Sequence, residues 1–138
     1  MKKFSKFLLI AAMLGGMSVA SYAGDKDPLF VNIITDDPHS SQMAIHFGEV
    51  MFNKGHPLTI LLNNKGVNVL QKSKASKYVF QQKTISSLSE KGATILYCPM
   101  CLQAMKMKES DVIGGVKASD PDTIEQALFK DNTKTLTW

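Results

Sequence analysis

The fold is decided by residues 29–35, which read LFVNIIT. This stretch is almost entirely apolar, as expected for a strand that is buried on both faces of a parallel sheet. It runs into residues 36–41, DDPHSS, whose Asp and Ser side chains can cap the start of a helix. Apolar residues then recur at roughly helical spacing over residues 42–54, and Gly55 ends the helix. A buried strand that leads through a capping loop into a helix is the unit from which α/β domains are built.

The same alternation of strand and helix continues along the chain. Further strands are predicted over residues 58–62, 93–97, 112–116 and 133–138. Further helices are predicted over residues 80–91, 102–108 and 123–129. Residues 63–66 are rich in turn formers, and the polar residues 72–77 are predicted to form a loop. The pattern indicates an α/β domain with a mainly parallel five-stranded sheet.

The first 23 residues have the pattern of a cleaved signal peptide. Lys2, Lys3 and Lys6 precede an apolar stretch over residues 7–20, and residues 21–23 read SYA, a small-x-small cleavage site. The apolar stretch contains two glycines and is shorter than the roughly 20 residues that a membrane-spanning helix needs. We therefore expect a signal peptide over residues 1–23, a domain over residues 24–138 and export to the periplasm.

The length and charge of the chain argue against some classes of partner. Removing 23 of the 138 residues leaves 115, enough for one domain with a core of its own. Three of the 16 basic residues lie in the leader, so 13 remain against 12 acidic residues. Arginine is absent and the lysines are scattered along the sequence, which argues against a nucleic-acid partner. No apolar stretch after the leader is long enough to cross a bilayer, so no membrane association is expected after cleavage.

The two cysteines, Cys98 and Cys101, form a Cys-Pro-Met-Cys motif directly after the strand predicted over residues 93–97. A domain of this size does not need a disulfide for stability, so the pair indicates chemistry rather than packing. Two thiols at this spacing can form a disulfide, bind a soft metal or carry a persulfide. If Cys101 lies in the first turn of a helix, backbone N–H groups and the helix dipole favour a thiolate there.

The loops that follow the first two strands supply candidate supporting residues. The carboxyl ends of parallel strands meet at one edge of the sheet, where ligands and reactive groups gather. His39 follows the first strand and is a candidate base or ligand, although a structural or capping role is the more common one. Asn64 and Lys65 follow the second strand, and Lys65 can hold an anionic sulfur species, although lysines are exposed by default.

A metal site is the alternative interpretation of the Cys-Pro-Met-Cys motif. One Cys-x-x-Cys supplies only two of the four ligands of a structural zinc site, and no second pair follows. Copper(I) suits the motif better, because Cys98, Cys101 and Met100 combine thiolate and thioether ligands. Methionines also fill protein cores, so no cofactor is firmly predicted.

Several segments resemble the DsrE/DsrF-like family. They are residues 61–67 (LLNNKGV), 96–102 (LYCPMCL), 111–116 (DVIGGV), and the ending at 128–129 (LF) and 135–138 (TLTW). The resemblance covers nearly all of residues 24–138 and implies a three-layer α/β/α domain that assembles as a homo-oligomer. It also implies a persulfide on the cysteine of the strand-end loop, here Cys98 or Cys101. The leader and the second cysteine depart from the cytoplasmic members of the family that pass sulfur along relay chains.

The leading hypothesis is an exported protein that carries or transfers sulfane sulfur on Cys98 or Cys101, with the other cysteine resolving the persulfide into a disulfide. Its partner would be a sulfur donor or acceptor protein, or a small sulfur compound. The alternatives are a copper(I)-binding module, a thiol–disulfide exchange protein and a non-catalytic subunit. The sequence does not decide whether the protein is an enzyme, nor which cysteine is the nucleophile.

Overall fold

The structure is a computed structural model and describes residues 26–138, so the predicted signal peptide lies outside the described residues. The strands are β1 (Leu29–Ile33), β2 (Leu58–Leu62), β3 (Thr94–Tyr97), β4 (Lys117–Ala118) and β5 (Lys134–Thr137). The α-helices are α1 (Pro38–Asn53), α2 (Val79–Glu90), α3 (Pro99–Ala104) and α4 (Pro121–Leu128). Three short 3-10 segments cover Asn64–Leu70, Lys72–Lys74 and Glu109–Asp111. In this part of the chain, no helix combines the length and the apolar character needed to cross a membrane.

The five strands form one sheet in the order β4-β3-β2-β1-β5, and every neighbouring pair is parallel. In the register, Val31 of β1 lies opposite Ile60 of β2, which lies opposite Ile95 of β3. The prediction of a mainly parallel five-stranded sheet is confirmed. Because all strands run the same way, the loops that leave their carboxyl ends share one edge of the sheet.

The helices cover both faces of the sheet. On one face, Val31 and its neighbours pack with Ile45 of α1 and Ile85 of α2 in the main hydrophobic cluster, and all three of these side chains are fully buried. On the opposite face, Phe30 and Leu96 are 3% and 1% exposed. Residues of α4 line a depression there together with residues of β2 and β3. The chain is therefore a three-layer α/β/α domain, as the resemblance implied.

Two helices begin earlier than their apolar pattern predicts. Helix α1 starts at Pro38 because the carboxylate of Asp37 caps it, accepting the N–H of Ser40 at 2.7 Å. Helix α3 starts at Pro99, not at residue 102, because Cys98 occupies the cap position. Proline is favoured in the first turn of a helix, where its missing N–H costs no hydrogen bond. The caps, rather than the apolar residues, set these boundaries.

The strand predicted over residues 112–116 is wrong. The structure places the glycine pair in a turn, where Gly115 has φ 81° and its carbonyl accepts a hydrogen bond from Ser89 Oγ at 2.6 Å. Val112 forms only an isolated antiparallel bridge to Gln71. A positive φ interrupts the extended backbone that a strand requires, so the edge strand forms later, at Lys117–Ala118.

Candidate functional site

The Cys98–Cys101 pair lies at the carboxyl edge of the sheet. Cys98 directly follows β3, and its N–H donates to the carbonyl of Leu62 at 3.0 Å, which extends the β2–β3 pairing by one residue. Cys101 lies in the first turn of α3, because the helix begins at Pro99 and not at residue 102 as predicted. The two cysteines form a disulfide, with their Cα atoms 5.2 Å apart, and both residues are partly exposed. The pair is therefore held by the sheet on one side and by the helix on the other.

Each sulfur atom faces a backbone donor. The N–H of Cys101 donates to Cys98 Sγ at 3.2 Å, and the N–H of Asn64 donates to Cys101 Sγ at 3.1 Å. Hydrogen bonds to an acceptor favour its charged form, so the same donors would stabilise a thiolate once the disulfide is reduced. The thiolate is the reactive form of cysteine. The arrangement therefore suits nucleophilic sulfur chemistry.

The donor from Asn64 depends on an unusual backbone conformation that neighbouring residues hold in place. Asn64 has φ 48°, in the left-handed region that asparagine tolerates better than most residues. The preceding residue, Asn63, donates its N–H to the Ile33 carbonyl at 3.0 Å and its Nδ2 to Asn32 Oδ1 at 2.8 Å. The loop after β2 is thus fixed to β1. The sequence analysis selected Asn64, but no side-chain pattern revealed that its backbone N–H would be the contacting group.

A second set of hydrogen bonds joins the loops after β1 and β2. Asp36 Oδ2 accepts from Asn68 Nδ2 at 3.2 Å, and Asn68 Oδ1 accepts from Lys74 Nζ at 2.8 Å. The hydroxyl of Tyr78, which is fully buried, donates to the carbonyl of Asp36 at 2.8 Å. Asn68 and Tyr78 were not among the predicted site residues. Their role follows from the tertiary fold, since Tyr78 and Asp36 are 42 positions apart.

The other two predicted supporting residues, His39 and Lys65, are exposed on the elements that follow β1 and β2. His39 is exposed in the first turn of α1, and Lys65 is exposed at the start of the first 3-10 segment. No hydrogen bond within residues 26–138 joins the side chain of either residue to a cysteine. Among the candidates of the neighbouring loops, the structure brings Asn64 into contact with Cys101 Sγ and leaves His39 on the helix surface.

The methionines divide into two groups. Met107 is 6% exposed and belongs to the main hydrophobic cluster, whereas Met100, between the two cysteines, is 80% exposed. Within the described residues, no cluster of three or more His, Cys, Asp or Glu side chains is arranged to hold a metal ion. A soft-metal site at this edge would therefore depend on the two thiolates and on the thioether of Met100.

Tyr97, which immediately precedes the pair, is 5% exposed. Burial raises the pKa of its hydroxyl above the ordinary value, and the nearby carboxylate of Glu109 raises it further. The side chain therefore stays neutral near pH 7 and does not add a charge beside the sulfur atoms.

Comparisons with known proteins place this arrangement in a family context. The profile of the DsrE/DsrF-like family matches residues 29–137. The fold is similar to that of MTH1491, a protein of unknown function from Methanobacterium thermoautotrophicum, with a TM-score of 0.66 and 18% identity over 82% of this chain and 100% of that one. It is also similar to the YchN protein from E. coli, with a TM-score of 0.57 and 17% identity over 82% of this chain and 99% of that one. No curated protein matches the sequence.

Proposed function

The chain belongs to the DsrE/DsrF-like family, and we propose that it is an exported sulfur-handling protein that carries sulfane sulfur as a persulfide on its Cys98–Cys101 pair. The observation that carries the proposal is the position of the two sulfur atoms. They lie within bonding reach of each other at the carboxyl edge of the sheet, and each accepts a backbone N–H. The family is generally related to sulfur relay, and these two cysteines are the only thiol groups in the chain.

The chemistry needs two steps. In the first, the thiolate of one reduced cysteine attacks the terminal sulfur of a persulfide or polysulfide, forms a new S–S bond and releases the donor as a thiolate. In the second, either an acceptor thiolate takes that terminal sulfur, or the second cysteine attacks the first and closes the Cys98–Cys101 disulfide. The closure releases hydrosulfide, because the two electrons lost by the cysteines reduce the sulfane sulfur. A thiol–disulfide exchange protein would use the same disulfide without carrying sulfane sulfur.

The location and assembly of the protein are part of the proposal. Export to the periplasm is supported by the leader pattern of residues 1–23, and assembly as a homo-oligomer by the family resemblance. In an oxidising compartment the second cysteine has a clear use, since closure of the disulfide protects both cysteines from irreversible oxidation. The partner would be a donor or acceptor of sulfane sulfur.

Mass spectrometry tests the proposal directly. After the protein is reduced and incubated with polysulfide, we expect the tryptic peptide of residues 92–106, which contains both cysteines, to gain one sulfur atom. The double variant Cys98→Ser/Cys101→Ser is the matched control and should stay unmodified. If neither the wild-type peptide nor that of Cys101→Ser, which cannot close the disulfide, gains sulfur under conditions in which a small thiol does, persulfide carriage is refuted.

Copper(I) binding is the second candidate, and the exposure of Met100 favours it. A methionine that is 80% exposed beside two thiols is not filling the core, so its thioether is free to act as a ligand. We expect the reduced protein to bind one copper(I) ion in competition with a chelator, Cys101→Ser to abolish binding, and Met100→Leu to weaken it. If the reduced protein takes no copper(I) from the chelator, this candidate is eliminated.

A further inference from the structure

The acidic residues are missing from one long stretch of the chain. Between Glu49 and Glu90 the sequence contains six lysines and no aspartate or glutamate. The lysines are Lys54, Lys65, Lys72, Lys74, Lys77 and Lys83. Residues 109–131, by contrast, hold six acidic residues and two lysines. The lysines are spread along the sequence, but the acidic residues are concentrated elsewhere. This stretch therefore carries positive charges only.

The fold brings this stretch to the sulfur atoms. Residues 64–83, which we call the lysine segment, begin at Asn64, the residue whose N–H contacts Cys101 Sγ. Gln82 Nε2 donates to the carbonyls of Val69 and Gln71 at 2.9 and 3.0 Å, so the start of α2 is held against the middle of the segment. Four lysines of the segment are exposed: Lys65, Lys72, Lys77 and Lys83.

The positive charge of the lysine segment is not cancelled by ion pairs. Lys72 Nζ donates to the Ser110 carbonyl at 2.9 Å, and Lys77 Nζ lies 5.0 Å from the centre of the Tyr78 ring. The two ion pairs found within residues 26–138 are His46–Glu49 and Lys134–Asp27, and neither involves the segment. The lysine side chains therefore keep their full charge toward solvent.

Four carboxylates border residues 64–77, three of them as hydrogen-bond acceptors, and Glu90 lines a depression together with Lys83. Asp36 accepts the Asn68 amide, Asp37 caps α1, and Asp111 accepts the N–H of Lys108 at 2.8 Å. Glu109 lies beside Tyr97. Asp36 and Asp37 act on Lys77 from the end of β1, so the excess of positive charge is greatest at the other exposed lysines. These carboxylates keep their charge, so the positive charge is that of the segment itself, which holds five lysines and no acidic residue.

We propose that the lysine segment docks a partner protein with an acidic surface, which presents a cysteine thiol to the Cys98–Cys101 disulfide. The inference rests on the proposed function, since it names the class of partner that the pair serves. Met100 and Val79, which are 80% and 49% exposed, supply apolar contact beside the charges, as in the apolar centres and charged rims of protein interfaces. Four lysines spread over residues 65–83 span more surface than a small anion covers, and a nucleic acid offers no thiol.

The docked reaction is a thiol–disulfide exchange. The partner thiolate attacks Cys98 Sγ, a mixed disulfide forms, the Cys98–Cys101 bond breaks, and Cys101 leaves as a thiolate that accepts the N–H of Asn64. Cys98 is the assigned target, because attack there leaves Cys101, which packs against the hydrophobic core, as the thiolate with a backbone donor. The positive charge of the lysine segment would raise the local concentration of an acidic thiol before the reaction.

The test compares synthetic peptides that carry one cysteine between glutamates or between serines, each reacting with the oxidised protein. Rates are expressed per thiolate, to correct for the different thiol pKa values of the peptides. We expect the acidic peptide to react about tenfold faster at low salt, and the ratio to approach one at high salt. Lys65→Glu/Lys77→Glu/Lys83→Glu should remove the preference, whereas the matched variant Lys54→Glu/Lys117→Glu/Lys130→Glu, with the same change in net charge, should keep most of it.

Other outcomes overturn the inference. Equal rates for the two peptides at low salt, or equal losses in the two triple variants, would show that the lysine segment selects nothing. An equal acceleration of the small anionic thiol mercaptoethanesulfonate would show that the site attracts any anion, not an extended acidic surface. Failure of the proposed function looks different, because the reduced Cys98–Cys101 pair would then gain no sulfur from polysulfide, whereas both peptides would still open the disulfide.

Discussion

Cys101→Ser, reduced and then treated with polysulfide, is expected to hold a persulfide on Cys98 that outlives the wild-type persulfide by about 100-fold or more, since a well-placed intramolecular nucleophile has an effective concentration on the order of 10⁵ M. In the wild type the second thiolate lies within bonding reach of the first and closes the disulfide with release of hydrosulfide. Serine is similar in size to cysteine but does not attack sulfur. The lifetime is measured by mass spectrometry after the donor is removed.

The reciprocal variant identifies the acceptor. Cys101 packs against the hydrophobic core and its sulfur accepts the N–H of Asn64, whereas Cys98 lies at the cap position between β3 and α3. Cys98→Ser is therefore expected to take up sulfur more slowly than Cys101→Ser. Equal lifetimes in Cys101→Ser and the wild type would show that the second cysteine does not resolve the persulfide, and faster uptake by Cys98→Ser would reverse the two roles.

The position of the cysteine motif could be predicted from the sequence because its determinants are local. An apolar run followed by a capping residue and a proline specifies a strand that ends where a helix starts, and Cys98 and Pro99 occupy those positions. The order of strands and helices follows from the same kind of signal. The strand predicted over residues 112–116 is wrong for a local reason. Its apolar residues favour a strand, but Gly114 and Gly115 form a turn, and the positive φ of Gly115 interrupts the extended backbone.

The contacts that complete the site could not be predicted, because they join distant parts of the chain through the backbone. The N–H of Asn64 reaches a sulfur atom 37 positions away, and a main-chain donor has no signature in residue type. The polar contacts of Asn68 and Tyr78 with Asp36 likewise depend on how two loops pack at the sheet edge. The lack of acidic residues between Glu49 and Glu90 is visible in the sequence. Its proposed role in docking depends on the fold, which brings Asn64, the first residue of the lysine segment, to Cys101 Sγ.

Gly66→Ala is expected to destabilise the domain by about 3 kcal/mol or more, at the upper end of the range for overpacking. Gly66 is buried in the 3-10 segment, and a Cβ there would overlap the backbone carbonyl of Ile33 at the end of β1. Backbone atoms of a central strand cannot move aside as a flexible side chain does. The same carbonyl accepts the N–H of Asn63, so relief of the overlap would also shift the loop that places Asn64 at Cys101.

The measurement is urea unfolding of the oxidised wild type and of two alanine variants. Gly114→Ala is the matched control, because a Cβ there meets no atom within 4 Å and the residue lacks a positive φ. We expect it to stay within about 0.5 kcal/mol of the wild type, as surface substitutions usually do. Where Gly66→Ala still folds, the displaced loop should also change the rate at which a neutral thiol reduces the disulfide. A Gly66→Ala protein as stable as Gly114→Ala, with an unchanged reduction rate, would show that the loop after β2 does not fix the geometry of the sulfur pair.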